Sequence, residues 1–576
     1  MSVQTPAKVS LRIGLRSDLI SFVAVIVLPA ACIWLTRTMV TDAGYVDPFF
    51  YTGYMINSKS LISHFGMTYY LVRMAVILPG MWIYGLFGAE HGFFVLEYLK
   101  LLTGSLSIFA IARRFYGPRV ALFSAVFLCF SPWFIRANTW DYVDGFAIDY
   151  ILAGIAFVLV PRRLSPISFA LGGACCALAT NSNLFALAIW VPFVPSWIII
   201  NGIRPWALFV KRIAWFLVGF FAAYCGLTIY LNHVCPGIGP FIERFSISLA
   251  QDLLNGGSRP WYEPVGQYFL TEGNYFIIVP LVVGVGAAIL VLRSRHRLAN
   301  EVRERLTAAF TLYLVIIILI YAVNQELFHS PRITAPEYFS YSVIPCALAL
   351  MAMIGQFSEA NSTVTRFAIA AAFFVIPLLW LRLQATGTYN SLPYALFILP
   401  LALFIAGVMS RERYRAMACV CVLVFSLAIS PFFLRTAGDY GCLLADIPYE
   451  WDVYAGAINL VSVVERASPP DLGAIRFWYA TDQPGGHWLL SSIASTYLGA
   501  NRLSGSYPPK VNEDLEKHID PLATVVVLGM SDSEVRSDVA ALTRAGVRAH
   551  SVAEATYVGR SWGYAYAILR IEHPRK

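Results

Sequence analysis

Thr68-YYLVRMAVILPGMWIYGLFGAEHGFFVLEYLKLLTGSLSIFAIAR-Arg114 decides how this chain lies. The stretch holds two apolar runs, Thr68 to Phe87 and Phe93 to Ala112, and ends on the twin arginines Arg113 and Arg114. Basic residues beside membrane segments favour the cytoplasmic side. An apolar run earlier in the chain, from Leu19 to Trp34, follows Lys8, Arg12 and Arg16 and reads as an uncleaved first helix leaving the cytoplasm. If both later runs crossed, Arg113 and Arg114 would lie outside. Only Phe93 to Ala112 is therefore assigned a crossing. Thr68 to Phe87 is expected to lie along the outer membrane face, broken at Pro79-Gly80.

Composition supports a membrane protein. Of 576 residues, 58% are hydrophobic and 13% charged, against about 25% charged in soluble domains. Aromatics reach 15%, which suits helix ends placed among lipid headgroups. The net charge of +8 comes from arginines in short clusters between apolar runs. That distribution signals topology and excludes a nucleic-acid surface. The ten cysteines form no framework; pairs such as Cys175-Cys176 lie inside apolar runs and read as small packing residues.

The same rule orders the rest. Basic clusters stand at Arg162-Arg163, Lys211-Arg212, Arg293 to Arg305, and Arg411 to Arg415. Between them the apolar runs come in pairs, one outward and one returning: Val120 to Phe134 with Phe146 to Val160, and Ile167 to Ala179 with Leu184 to Ile200. Ile213 to Leu231 pairs with Tyr275 to Leu292, Leu306 to Val323 with Tyr341 to Met353, and Phe367 to Leu381 with Tyr394 to Met409. Ala416 to Phe433 leaves once more. The expected fold is a polytopic α-helical membrane protein of about thirteen transmembrane helices with its C-terminus outside.

After Leu434 the periodicity changes. Val453 to Arg466 reads as a helix, and Ala474 to Ala480, Ala523 to Leu528 and Tyr564 to Ile571 as strands. Trp488 to Tyr497, Val511 to His518 and Asp532 to Ala545 read as helices, the last ended by Gly546. The expected domains are a transmembrane unit over 1–434, with membrane-lying helices at about 50–90, and a soluble α/β domain over 435–576. Gly485-Gly486 is a tight turn and carries no GxGxxG.

With this topology the acids by the membrane segments fall on one face. Asp42 and Asp47 follow the first helix, while Asp141, Asp144 and Asp149 lie in RANTWDYVDGFAID at the next outer turn. A single carboxylate there is commonly a helix cap; two groups at one depth suggest a shared site.

Several of these segments together resemble the GT-C superfamily of membrane glycosyltransferases, in the branch of protein O-mannosyltransferases and bacterial lipid A aminoarabinose transferases. The residues are Asp47-Pro-Phe-Phe-Tyr51-Thr-Gly-Tyr-Met, Ala112-Arg-Arg-Phe-Tyr-Gly117 and Ser131-Pro-Trp-Phe-Ile-Arg136, followed by Asp141 or Asp144. Farther on come Pro331-Arg332 and Pro336-Glu-Tyr-Phe-Ser-Tyr341 to Pro345. The likeness runs from Asp42 to about Gly173 by motif and beyond that by architecture. Two positions depart from the family: Pro48 replaces its Glu, and Thr180-Asn181-Ser182-Asn183 stands where relatives carry Lys or His. The resemblance implies a polyprenyl-phosphate-linked sugar as donor, a lipid, glycan or protein as acceptor, and inversion at the anomeric carbon.

The chemistry assigns residues to roles. A sugar on a lipid phosphate is already activated, so a hydroxyl acceptor needs a carboxylate base, expected at Asp47. Asp141 or Asp144 would orient the acceptor; Asp47 with Asp141 could instead hold a divalent cation, Mg or Mn, through oxygen. The leaving phosphate needs cations, drawn from Arg73, Lys100, Arg136, Arg244, Arg259 and Arg332, with Arg332 first and Arg259 second. Tyr51, Trp261 and Tyr262 are candidate contacts to sugar or acceptor. For each cation the plain reading is an interfacial anchor. The rival class is a lipid or sugar transporter or flippase, which would need midplane charges and two related halves; neither is visible in the sequence.

Overall fold

The structure, a computed structural model, describes residues 14–36, 47–65, 70–129, 132–138, 142–161, 165–201, 205–236, 301–327, 338, 340–357, 447–467, 475–479, parts of 490–498, 524–544, 546–559 and 562–571. The expected helices at 275–292, 367–381, 394–409, 416–433 and 511–518 lie outside these residues.

The first elements are α1 (Gly14–Thr36), α2 (Asp47–Phe65) and α3 (Met74–Phe115). The decisive stretch forms α3. Pro79 does not break it; the helix continues through that residue and turns at Gly88, whose φ of +75° only glycine adopts without strain. The limb before Gly88 is too short, at ~1.5 Å per residue, to cross ~30 Å of hydrocarbon. The limb after it is long enough. The turn at Gly88 falls between the two apolar runs, while the further break expected at Pro79-Gly80 is absent, because a neighbouring helix satisfies the carbonyl that Pro79 leaves unbonded: the Tyr150 hydroxyl donates to Ala75 O at 3.0 Å.

Next come α4 (Pro118–Cys129), α5 (Pro132–Asn138), α6 (Val143–Leu159) and α7 (Pro166–Ser182). The expected single run from Val120 to Phe134 is therefore two helices, with Pro132 opening the second. Ser165 caps α7 by accepting from Ser168 N at 3.2 Å, with Pro166 in the first turn. The run from Leu184 to Ile200 is likewise split, into α8 (Ala186–Trp190) and α9 (Phe193–Asn201). Then follow α10 (Trp206–Val234), α11 (Glu301–Glu326), a 3₁₀ turn at Ser340–Ser342, and α12 (Val343–Phe357).

Small residues bring these helices together. A Cβ on Gly219 of α10 would lie 1.8 Å from the carbonyl oxygen of Ala170 on α7, and one on Gly173 would lie 1.9 Å from that of Phe216. Backbone approach of this kind is how helices associate in lipid, where apolar surface alone gives no driving force. Among the described residues α3, α10 and α11 are long and apolar enough to cross a membrane. Leu217, Val218, Phe221 and Ile229 of α10 are exposed, a surface suited to hydrocarbon. The chain is a multi-pass helical membrane protein.

The C-terminal part comprises α13 (Ile447–Ala467), β1 (Ile475–Tyr479), β2 (Thr524–Gly529), α14 (Asp532–Arg544), β3 (Ala549–Val558) and β4 (Gly563–Ile571). The strands form a small mixed sheet in the order β1-β2-β4-β3. β1 and β2 are parallel, pairing Phe477 with Val526, and the others antiparallel, pairing Val526 with Ile568. Helix α14 opens on Ser531, which accepts from Glu534 N at 3.3 Å, while Glu534 Oε2 accepts from Met530 N at 2.7 Å, a variant of the capping box. It closes in a Schellman arrangement, Val547 N to Leu542 O and Gly546 N to Thr543 O, both 3.1 Å, with Gly546 at φ +83°.

One sheet face packs on α14 through Trp478, Val525, Val527, Leu542 and Leu569. The other shares a core with α13 and with α2 and α3 of the membrane part: Tyr454, Phe477, Val526 and Ile568 join Tyr51, Tyr54, Tyr84 and Phe93. Hydrogen bonds cross the junction, among them Tyr454 Oη to Ala89 O at 3.2 Å and Asn57 Nδ2 to Tyr497 O at 3.1 Å.

Candidate active site

Asp47 is the first residue of α2, and Tyr51 stands one turn later on the same side of the helix. Tyr51 is buried. Its ring meets Tyr70 edge-on at 5.2 Å and Tyr142 edge-on at 5.9 Å. The Arg73 guanidinium lies over the Tyr51 ring, 5.5 Å from its centroid, in cation–π contact. Arg73 is 2% exposed and ends the turn from Tyr70 that leads into α3.

Asp144 faces the same region from the first turn of α6, where a carboxylate is favoured by the helix dipole. It is fully buried. One oxygen, Oδ1, accepts from Tyr341 Oη at 2.6 Å and from Asn183 Nδ2 at 2.7 Å. Asp144, Tyr51, Tyr142 and Tyr338 are the groups within electrostatic reach of Arg73. Phe185 packs edge-on against Tyr338 and Tyr341, at 5.2 and 5.5 Å, closing the aromatic wall. Among the described residues, the beginnings of α2, α3 and α6, the end of α7 and the 3₁₀ turn thus bring a cation and a carboxylate within electrostatic reach of each other among tyrosines. Such a site can hold an anion against Arg73 while Asp144 accepts or orients a hydroxyl.

Lys100 lies elsewhere. It pairs with Glu97 at 2.9 Å and sits over the Phe146 ring at 5.2 Å. The Asp149 carboxylate belongs to this second cluster, with Lys100 and Glu97 as its charged neighbours. Asp149 Oδ1 is so close to α3 that a Cβ on Gly104 would lie 2.6 Å from it. Asp141, Arg259, Trp261, Tyr262 and Arg332 lie outside the described residues, as do the side chains of Asp47 on α2 and Arg136 on α5. The structure therefore brings together Tyr51 and Asp144 of the expected site residues and sets Lys100 apart.

Three members of the cluster carried little weight in the sequence. Arg73 was one of six outer cations, Tyr341 part of a motif, and Asn183 part of a segment read as a missing cation. Arg73 had the clearest signal, since a charge inside YYLVRMAVILP is costly unless it is used. Asn183 had none, because its partner Asp144 is distant in sequence.

No protein-family model matches the chain, and no curated protein sequence matches it. Solved structures do. ArnT from Cupriavidus metallidurans bound to undecaprenyl phosphate is 14% identical, with 96% of this chain and 97% of that one covered and a TM-score of 0.55. The same protein in the apo state is 15% identical, with 96% and 98% covered and a TM-score of 0.48. The oligosaccharyltransferase of Archaeoglobus fulgidus in the apo form is 11% identical, with 88% and 69% covered and a TM-score of 0.38. The chain has, over nearly its whole length, the fold of ArnT.

Proposed function

We propose that this protein is a membrane glycosyltransferase that moves a sugar from a polyprenyl-phosphate donor to a hydroxyl of a lipid, glycan or protein acceptor. The observation that carries this reading is the burial of Arg73 and Asp144 within electrostatic reach of each other, in a fold shared with a protein captured on undecaprenyl phosphate. On this reading Arg73 receives the donor phosphate, because it is buried and within electrostatic reach of Asp144 among tyrosines. Topology by the positive-inside rule puts the site and the domain over 435–576 on the outer face of the membrane, with the transmembrane unit over 1–434.

The reaction is a direct displacement. An acceptor oxygen attacks the anomeric carbon, the bond from that carbon to the phosphate oxygen breaks, and the lipid phosphate leaves with its electron pair. Asp47 takes the acceptor proton. Arg73 neutralises the charge that grows on the leaving phosphate. Asp144, held by Tyr341 and Asn183, orients the acceptor. Attack opposite the leaving group inverts the anomeric centre. A divalent cation on Asp47 and Asp141 would help neutralise the phosphate.

The test is consumption of a panel of polyprenyl-phosphate sugars by purified protein. Wild type should consume at least one donor, and Arg73→Ala, Asp144→Asn and Asp47→Asn should each lose at least tenfold in kcat/KM, as loss of one transition-state contact predicts. A wild type that consumes none, or an Arg73→Ala variant at full turnover, would reject the reading.

A further inference from the structure

Arg73 occupies the N-cap position of α3, with backbone angles outside the helical region and no capping hydrogen bond from its side chain. That position ordinarily takes Ser, Thr, Asp or Asn, whose oxygen accepts from an early N–H of the helix. A guanidinium has only donors and cannot do so. The missing cap comes from another helix. Asn181 Oδ1, at the end of α7, accepts from Ala75 N at 2.8 Å, and Asn181 Nδ2 points to Val72 O at 3.4 Å. One amide therefore grips the main chain on both sides of Arg73, which needs an acceptor and a donor on one short side chain.

The other end of the same residue is also held from outside. Pro79 has no N–H to give to Ala75 O, and the Tyr150 hydroxyl of α6 donates to that oxygen at 3.0 Å. Both polar groups of Ala75, two residues from Arg73, are thus satisfied by other helices. All four polar side chains of Thr180 to Asn183 are buried. Thr180 and Ser182 turn back to carbonyls of their own helix, at 2.8 and 2.9 Å. Asn181 and Asn183 reach outward, one to the Arg73 turn and the other to Asp144.

We infer that Asn181 and Tyr150 are positioning residues that hold the Ala75 peptide from two sides and thereby aim Arg73 at the anion it binds. The segment Thr180 to Asn183 is on this view the frame that sets Arg73 and Asp144 relative to each other. The inference rests on the reading of Arg73 as the donor-phosphate ligand. A local rule broken at a functional residue is compensated from outside.

A double-mutant cycle on full-length protein in detergent tests it, with undecaprenyl phosphate as the probe and its dissociation constant as the readout. Asn181→Ala and Tyr150→Phe should each weaken binding about tenfold in the wild-type background and have no further effect once Arg73 is alanine. Equal losses in both backgrounds, or no loss from either variant, overturn the inference while the donor-site reading stands. Undiminished binding by Arg73→Ala overturns both. Should Asn181→Ala fail to fold, Tyr150→Phe, which removes one oxygen and keeps the ring, decides the question alone.

Discussion

At the residue scale, the Asp144 carboxylate depends on two neutral donors. Tyr341 gives it a 2.6 Å hydrogen bond, and a bond to an anionic acceptor is worth about 1.5–3 kcal/mol. Tyr341→Phe keeps the ring and deletes that bond, so kcat/KM should fall by roughly tenfold or more, measured as donor consumption at equal folded protein. An unchanged rate would remove Tyr341 from the site. A second carboxyl, Asp538, tests electrostatics in the C-terminal part. Partial burial raises its pKa above the usual 3.8, and Glu534 one turn earlier raises it further. The native state then holds the proton more tightly than the unfolded chain does. Stability is lost as pH rises from the unfolded pKa through the folded one, and the deficit is complete at neutral pH. Asp538→Asn should therefore raise Tm at pH 7 and lose that advantage as the pH falls below the usual carboxylate range; a gain that is constant with pH would refute the electrostatic cause.

At the element scale, helix contacts rest on absent side chains. Gly219 lets α10 approach the Ala170 carbonyl so closely that a Cβ would lie 1.8 Å away. The nearest atom is backbone, so no rotamer change relieves the clash. Gly219→Val should destabilise the detergent-solubilised protein by at least about 1–3 kcal/mol, seen as a lower Tm, whereas Gly226→Val, which meets nothing within 4 Å, should leave Tm nearly unchanged. The ends of α14 show the opposite case, since Ser531, Glu534 and Gly546 act within a few residues of one another. That helix was readable from sequence to its last turn. Strand β3 was not. Its sequence, AHSVAEATYV, lies at the sheet edge with exposed side chains on both faces, so no apolar alternation marks it.

At the scale of the whole molecule, the C-terminal part does not hang free. Its sheet and α13 share a core with Tyr51, Tyr54, Tyr84 and Phe93, so Tyr51 lies both in the candidate site and under the C-terminal roof. Removing residues 435–576 would uncover several large side chains, each costing about 1.5–3 kcal/mol to expose. The shortened chain should aggregate in size-exclusion chromatography. A monodisperse product that still binds undecaprenyl phosphate would show that the roof is dispensable.

What the sequence determined by itself was whatever depends on neighbours along the chain. Apolar runs, arginine clusters and caps are local, so the membrane class, most described helices and three of the four strands could be read in order. The fold shared with ArnT was legible as a resemblance because the motif-bearing segments follow one another in a fixed succession. In the stretch from Thr68 to Arg114, the sequence announced two limbs divided between Phe87 and Phe93, where Gly88 turns the helix, and a further break at Pro79-Gly80. Only the tertiary structure removed the second break, because the proline's lost hydrogen bond is replaced by Tyr150 from another helix. The same limit hid the site. Arg73, Asp144, Asn183 and Tyr341 come from four distant segments, and no periodicity reports which buried donor will meet which carboxylate. Burial makes an unpaired polar group expensive wherever the fold leaves it, so their partners are chosen by packing in three dimensions.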